Sequence, residues 1–125
     1  MSGVTGIDHV QVAAPPGCEP RARAFYGGLL GLPELEKPEL LAVRGGCWFA
    51  CGELQLHIGI SDPFVPATKA HPALRVRDEP ALAALLARLD AAGFPSRRDL
   101  ELPGVARAFV DDPFGNRVEL VAAAA

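Results

Sequence analysis

The chain has 125 residues, half of them hydrophobic, and 12 Lys and Arg against 15 Asp and Glu give a formal net charge of −3. That length suits one domain with a buried core, is too short for two ordinary domains, and the composition is not that of a disordered chain. Basic residues are scattered, with Arg97-Arg98 the only adjacent pair, which argues against a nucleic-acid partner, and no apolar run approaches the ~20 residues of a membrane-spanning helix. Met1-Ser2-Gly3-Val4 lacks the basic and apolar regions of a secretory signal, and Cys18, Cys47 and Cys51 cannot all pair within one chain. Reduced thiols in a cytoplasm are therefore expected.

Residues 7–12 alternate as a half-buried strand does, and Ala13-Ala14-Pro15-Pro16-Gly17 ends the run. Ala22, Phe25, Tyr26, Leu29 and Leu30 then fall on one helical stripe, closed by Gly31 and kept from restarting by Pro33. Three extended pieces are expected next, at Glu39–Arg44, Cys47–Cys51 and Glu53–Ile60, so this part reads β-α-β-β-β. Ser61–Ala70 carries prolines and no period, as a linker would. After it the order repeats: a strand at His71–Val76, then a helix opened by Asp78-Glu79-Pro80, with Leu82, Leu85, Leu86 and Leu89 as its stripe and Gly93 as its stop. Extended pieces near Arg97–Leu102, Ala106–Val110 and Arg117–Val121 complete the unit, and Ala122–Ala125 is expected to fray. Asp111-Asp112-Pro113-Phe114-Gly115-Asn116 is a turn sequence rather than a catalytic carboxylate pair.

The two halves match in detail. His71 follows His9 by 62 positions (71 − 9), Gly93-Phe94-Pro95 follows Gly31-Leu32-Pro33 by the same distance, and Glu119 follows Gln55 by 64 (119 − 55). Side chains alternate faces along a strand, so Val10 and Val12, Leu56 and Ile58, Pro72 and Leu74, and Val118 and Leu120 form apolar faces for the helices. The opposite faces hold His9 and Gln11, Gln55 and His57, His71 and Arg75, and Glu119. An ordinary solvated face would carry Lys, Glu, Thr and Ser, whereas all three histidines of the chain fall on this one. Two imidazoles and a carboxylate suit Zn, Ni, Mn or Fe as a divalent ion. Cys47 and Cys51, ~13 Å apart on an extended strand, are unsuited to joint metal binding and read as small buried thiols.

The βαβββ repeat, the early Asp8-His9-Val10, the central His71-Pro72-Ala73-Leu74-Arg75-Val76 and the closing Asp111-Asp112-Pro113-Phe114-Gly115-Asn116-Arg117-Val118-Glu119-Leu120 resemble the vicinal oxygen chelate superfamily. That superfamily groups glyoxalase I, extradiol dioxygenases, fosfomycin-resistance transferases and bleomycin-resistance proteins. The resemblance spans nearly the whole chain. It implies an α+β fold, one glyoxalase-like domain over 1–125, with modules at 1–60 and 71–125, a linker at 61–70, and mixed sheets forming a cup-shaped or half-barrel cavity with helices outside. Its metal positions fall on His9, Gln55, His71 and Glu119, and Gln55 and His57 compete for the fourth place. Glu119 or His57 would move a proton in lyase or isomerase chemistry on a small-molecule substrate, and a homodimer is implied. Arg44, Trp48, Lys69 and Arg75 are candidates for the substrate pocket. The alternative from another class is a metal-free drug-sequestering protein of the bleomycin-resistance type.

Overall fold

In the computed structural model, which describes residues 2–123, backbone pairing divides the chain into two compact units, Met1–Phe64 and Val65–Ala125. The first begins with β1 (His9–Ala14), whose alternation buries Val12 and Ala14 and leaves His9 and Gln11 exposed. A short helix α1 (Glu19–Ala22) follows, with Pro in its first turn, and runs directly into a π-helical segment, Arg23–Leu29. The Leu30 N–H donates to the Phe25 carbonyl at 2.9 Å, five residues back rather than four. Gly27-Gly28 falls in this segment, and glycine has the weakest α-helical preference of its residues. The wider turn has a visible consequence. Ala22, Phe25 and Tyr26 are buried as the stripe requires, but Leu29 and Leu30 have rotated out to half-burial.

One further expectation fails in this unit. Glu39–Arg44 is not extended: Glu39–Ala42 forms a helical turn, α2, in which the Leu41 and Ala42 N–H groups both donate to the Pro38 carbonyl. Pro38 presets the entry, and Glu39, Leu40, Leu41 and Ala42 include strong helix formers. The strand after the first helix is instead β2 (Glu34–Leu35), which pairs antiparallel with β3 (Cys47–Cys51) through Trp48 and Phe49. With β4 (Leu54–Ile60) the sheet has the order β1-β4-β3-β2, β1 and β4 being parallel. Between α2 and β3, Gly46 has a φ of +85°, and a Cβ there would collide with the Ile58 carbonyl oxygen. Its N–H donates to Glu19 Oε2 at 2.8 Å, which ties this loop to the head of α1.

The second unit repeats the topology. β5 (Ala73–Arg75) is shorter than expected and leaves His71 just ahead of the strand. In α3 (Glu79–Ala91), Asp78 caps the first turn by accepting from the Ala81 N–H at 2.8 Å. Leu82, Leu86 and Leu89 are buried beneath it, with Leu85 half-buried. β6 (Arg97–Asp99), β7 (Val105–Asp111) and β8 (Arg117–Ala123) complete a sheet of order β5-β8-β7-β6, with β5 parallel to β8. Ala122 does not fray. It pairs with Ala106 and is fully buried, because it continues the apolar face of Val118 and Leu120. Ala124 and Ala125 lie outside the described residues. The architecture is therefore α+β, two βαβββ modules each built on a four-stranded mixed sheet. Among the described residues no helix is long and apolar enough to cross a membrane.

Candidate functional site

In the first unit, the register of β1 on β4 sets His9 opposite Gln55 and Gln11 opposite His57, while β3 sets Trp48 opposite His57 from the other side. Three rings therefore stand in a row on one sheet face. Trp48 and His57 stack at 4.1 Å with an interplanar angle of 4°, and His57 and His9 at 4.3 Å and 18°. His57 is 6 % exposed, and its Nε2–H donates to Gln55 Oε1 at 2.8 Å. Burial first, and then the neighbouring His9, hold His57 below the usual histidine range. The bond to Gln55 leaves the ring's lone pair on Nδ1. His9 has the opposite arrangement: Nδ1–H donates to Asp8 Oδ1 at 2.9 Å, which leaves Nε2 as the atom free to donate an electron pair.

The second unit meets the same need with charge. The His71 Nδ1–H donates to the Lys69 carbonyl at 2.7 Å, and its Nε2 lies 3.0 Å from Glu119 Oε1. With Nδ1 carrying the ring proton, Nε2 and the carboxylate oxygen are two acceptors facing each other. Such a contact requires a cation between or on them, either a second proton or a metal ion. Glu119 is 9 % exposed. Its Oε2 lies 3.7 Å from Arg107 Nη1, and Arg107 Nη2 donates to Asp99 Oδ2 at 2.6 Å. The buried Nε of Arg107 has no protein partner. Phe109 packs edge-on to His71 at 5.5 Å and lies under the guanidinium groups of Arg107 and Arg117.

The histidines are not at equivalent places in the two sheets. β1 pairs His9 with Gln55, whereas β5 pairs Ala73 with Glu119, so His71 stands two residues ahead of the position that answers His9. This explains why the histidines recur at 62 and the Gln/Glu positions at 64.

The structure thus brings His9, Gln55, His57 and Trp48 together in one unit, and His71 with Glu119 in the other. Among the described residues, no three His, Cys, Asp or Glu side chains lie close enough together to hold an ion. Arg44 and Trp48 line one cavity of about 300 Å³. Lys69 takes part through its carbonyl, its side chain being exposed, and Arg75 is exposed on β5. Asp112 is a turn residue, its carboxylate accepting from the Phe114 and Asn116 N–H groups, both at 2.9 Å, and from the Asn116 side chain at 3.0 Å. The three cysteines are free, with Cys18 and Cys47 buried, and burial raises every thiol, Cys18 to about 11. Sequence reasoning passed over Arg107, Asp99 and Lys37. Parity along β7, where Arg107 and Phe109 share a face, was the available signal for Arg107.

The family model described as Glyoxalase/Bleomycin resistance protein/Dioxygenase superfamily matches residues 6–120. The chain belongs to this superfamily. A Bacillus anthracis structure described as a glyoxalase family protein is similar to it at 47 % identity and a TM-score of 0.92, covering 98 % of both chains. Lactoylglutathione lyase from Agrobacterium tumefaciens shares the fold at 19 % identity and a TM-score of 0.75, over 97 % of this chain and 96 % of that one. The fosfomycin resistance protein FosX from Listeria monocytogenes does so at 16 % identity and 0.76, over 95 % and 93 %. Comparison with the curated proteins returns no match.

Proposed function

We propose that this glyoxalase-superfamily chain is a divalent-metal-dependent enzyme, a lyase or isomerase acting on a small substrate with two neighbouring oxygens. The observation that carries this reading is the contact between His71 Nε2 and Glu119 Oε1, two electron-pair donors at 3.0 Å with the other ring nitrogen already committed to a carbonyl. A divalent ion in place of a second proton is the cation proposed for this pair, and His9, with Nε2 free, and Gln55 are the donors proposed from the first unit. A bound ion would polarise the two substrate oxygens and stabilise negative charge developing on them. The chain's own groups do the rest. His57 keeps its lone pair on Nδ1 because Gln55 takes the Nε2 proton, which makes Nδ1 the atom proposed to accept a substrate proton. Glu119 is the second group proposed to move a proton. The free cysteines support work in the reducing cytoplasm, and the assembly proposed is a homodimer.

A second reading is favoured by Arg107. Its guanidinium beside Glu119 can neutralise the carboxylate without a metal, as a metal-free binding protein of the bleomycin-resistance type would allow. Metal analysis of the purified protein separates the two. Stoichiometric divalent ion in the parent, lost in Glu119→Ala with the fold intact, is the result expected of the enzyme, and equal metal content in parent and variant would overturn it. His57→Gln should keep the metal and lower turnover, and full turnover in that variant would remove His57 from the chemistry.

A further inference from the structure

The cavity of the first unit is walled on one side by the sheet and on the other by the chain between β2 and β3. Gln11, Trp48 and Gly59 line it from the strands, and Lys37, Leu41 and Arg44 from the α2 region. Gly59 is what lets Gln11 lie flat across β4, since a Cβ at that position would meet the Gln11 amide at 2.7 Å. The lining contains two cations and no acidic residue. Among the described residues, neither Lys37 nor Arg44 forms an ion pair. Lys37 donates one of its N–H groups to the Gly45 carbonyl, which anchors its ammonium at the cavity and leaves two N–H groups unspent. Arg44 is exposed and carries its five N–H donors unopposed. Trp48 gives one ring face to His57 and also lines the cavity, so this space abuts the ring stack. The positive charge of Lys37 is felt there, adding to the forces that hold His57 neutral.

We propose that this cavity is the recognition site for a small organic anion, a carboxylate or phosphonate bound by Lys37 and Arg44 with a flat body laid on Trp48. This deepens the enzyme reading given above, since it names the substrate class the site would take, and its volume of about 300 Å³ is at the small end of ligand pockets. Two cations converging on one cavity repel each other, and an anion removes that repulsion as it binds. Gln11 supplies a neutral donor and acceptor beside them. Gly45 and Gly59 keep the walls free of side chains.

Trp48 is the single tryptophan of the chain, so its fluorescence reports on the site directly. The full-length protein, stripped of metal and dialysed, is titrated with benzoate, phenylphosphonate, inorganic phosphate and the neutral benzamide. Saturable quenching by benzoate or phenylphosphonate is expected, weakened at least tenfold in Lys37→Gln and in Arg44→Gln, with none from benzamide. Arg44→Gln sits at an exposed position and should leave folding unaffected, which a melting curve on each variant checks. Unchanged dissociation constants in both variants, or equal binding of benzamide, would overturn the proposal. Inorganic phosphate binding as tightly as phenylphosphonate would overturn the assignment of Trp48. Quenching that needs added zinc and vanishes in Glu119→Ala would place the anion on the ion and overturn the cavity site while upholding the metal. Binding by a protein that takes up no metal would uphold the cavity and sink the metal reading.

Discussion

The two units of this chain share a topology and solve the same problem with different chemistry. Each lays a polar sheet face beside an apolar one, in strand orders β1-β4-β3-β2 and β5-β8-β7-β6. The first fills that face with stacked rings, Trp48, His57 and His9, and one amide. The second fills it with charge, His71, Glu119, Arg107 and Asp99. Ring stacking holds its geometry in a neutral state, whereas the charged face depends on how Arg107 shares its charge between Glu119 and Asp99. The comparison teaches that a duplicated backbone does not duplicate a site. Glu119 stands where the first unit has Gln55, Val121 stands where it has His57, and His71 lies two residues ahead of the place of His9.

The largest effect that tests this contrast belongs to the first unit alone. Gly46→Ala combines a left-handed backbone with a collision against the Ile58 carbonyl, and should destabilise the protein by about 3 kcal/mol or more in chemical denaturation. A loss below 1 kcal/mol would show that the loop can shift. The hairpin turns give the next comparison. Asp112→Ala removes three hydrogen bonds to a buried carboxylate and should cost about 2–4 kcal/mol. Gly52→Ala, in the corresponding turn of the first unit with a φ of +58° and open space around it, should cost about 1 kcal/mol. Equal losses would erase the distinction between a turn held by a side chain and one held by backbone freedom.

A third pair separates rings from charges. Arg107→Met should cost about 1–2 kcal/mol at low salt, and the deficit should shrink as salt is added, because the side chains of Arg107 and Asp99 retain some solvent contact. Trp48→Leu should cost about 1–2 kcal/mol with no dependence on salt, as expected for lost stacking and burial. Matching salt responses would refute the division drawn between the units.

The smallest effect is confined to acid. The Gly46 N–H, ahead of every other influence, holds the Glu19 carboxyl below the usual glutamate range. The folded state therefore binds that proton less readily than the unfolded one. Glu19's contribution is complete above the ordinary glutamate value and is lost as pH falls through the depressed folded value. Glu19→Gln should be less stable than the parent near neutrality by about 1 kcal/mol, with the gap closing as pH falls through the depressed folded value. A gap that widens in acid would reverse the assignment.

Local sequence was sufficient wherever period or turn chemistry acts over a few residues. The alternation in β1, β4 and β8, the leucine stripe of α3 with its Asp78 cap, and the Asp112–Asn116 turn are all of this kind. So was the placing of His9 and His57 on one face of their sheet, because side-chain parity follows from the strand itself. Tertiary structure decided the rest. Leu29 and Leu30 lost their burial to a π-helical turn that contains Gly27-Gly28, α2 displaced an expected strand, and β2 found its partner only through Phe49 and Trp48. The ring stack, the His71–Glu119 contact and the Arg107–Asp99 clamp depend on which strands pair and in what register. Turns fix register in the β3–β4 and β7–β8 hairpins, but the parallel pairs β1–β4 and β5–β8 join segments far apart in the chain, where no turn sets it. The faces of β1, β4 and β8 were legible because alternation is local, and the neighbours across strands were not because neighbours are made by pairing.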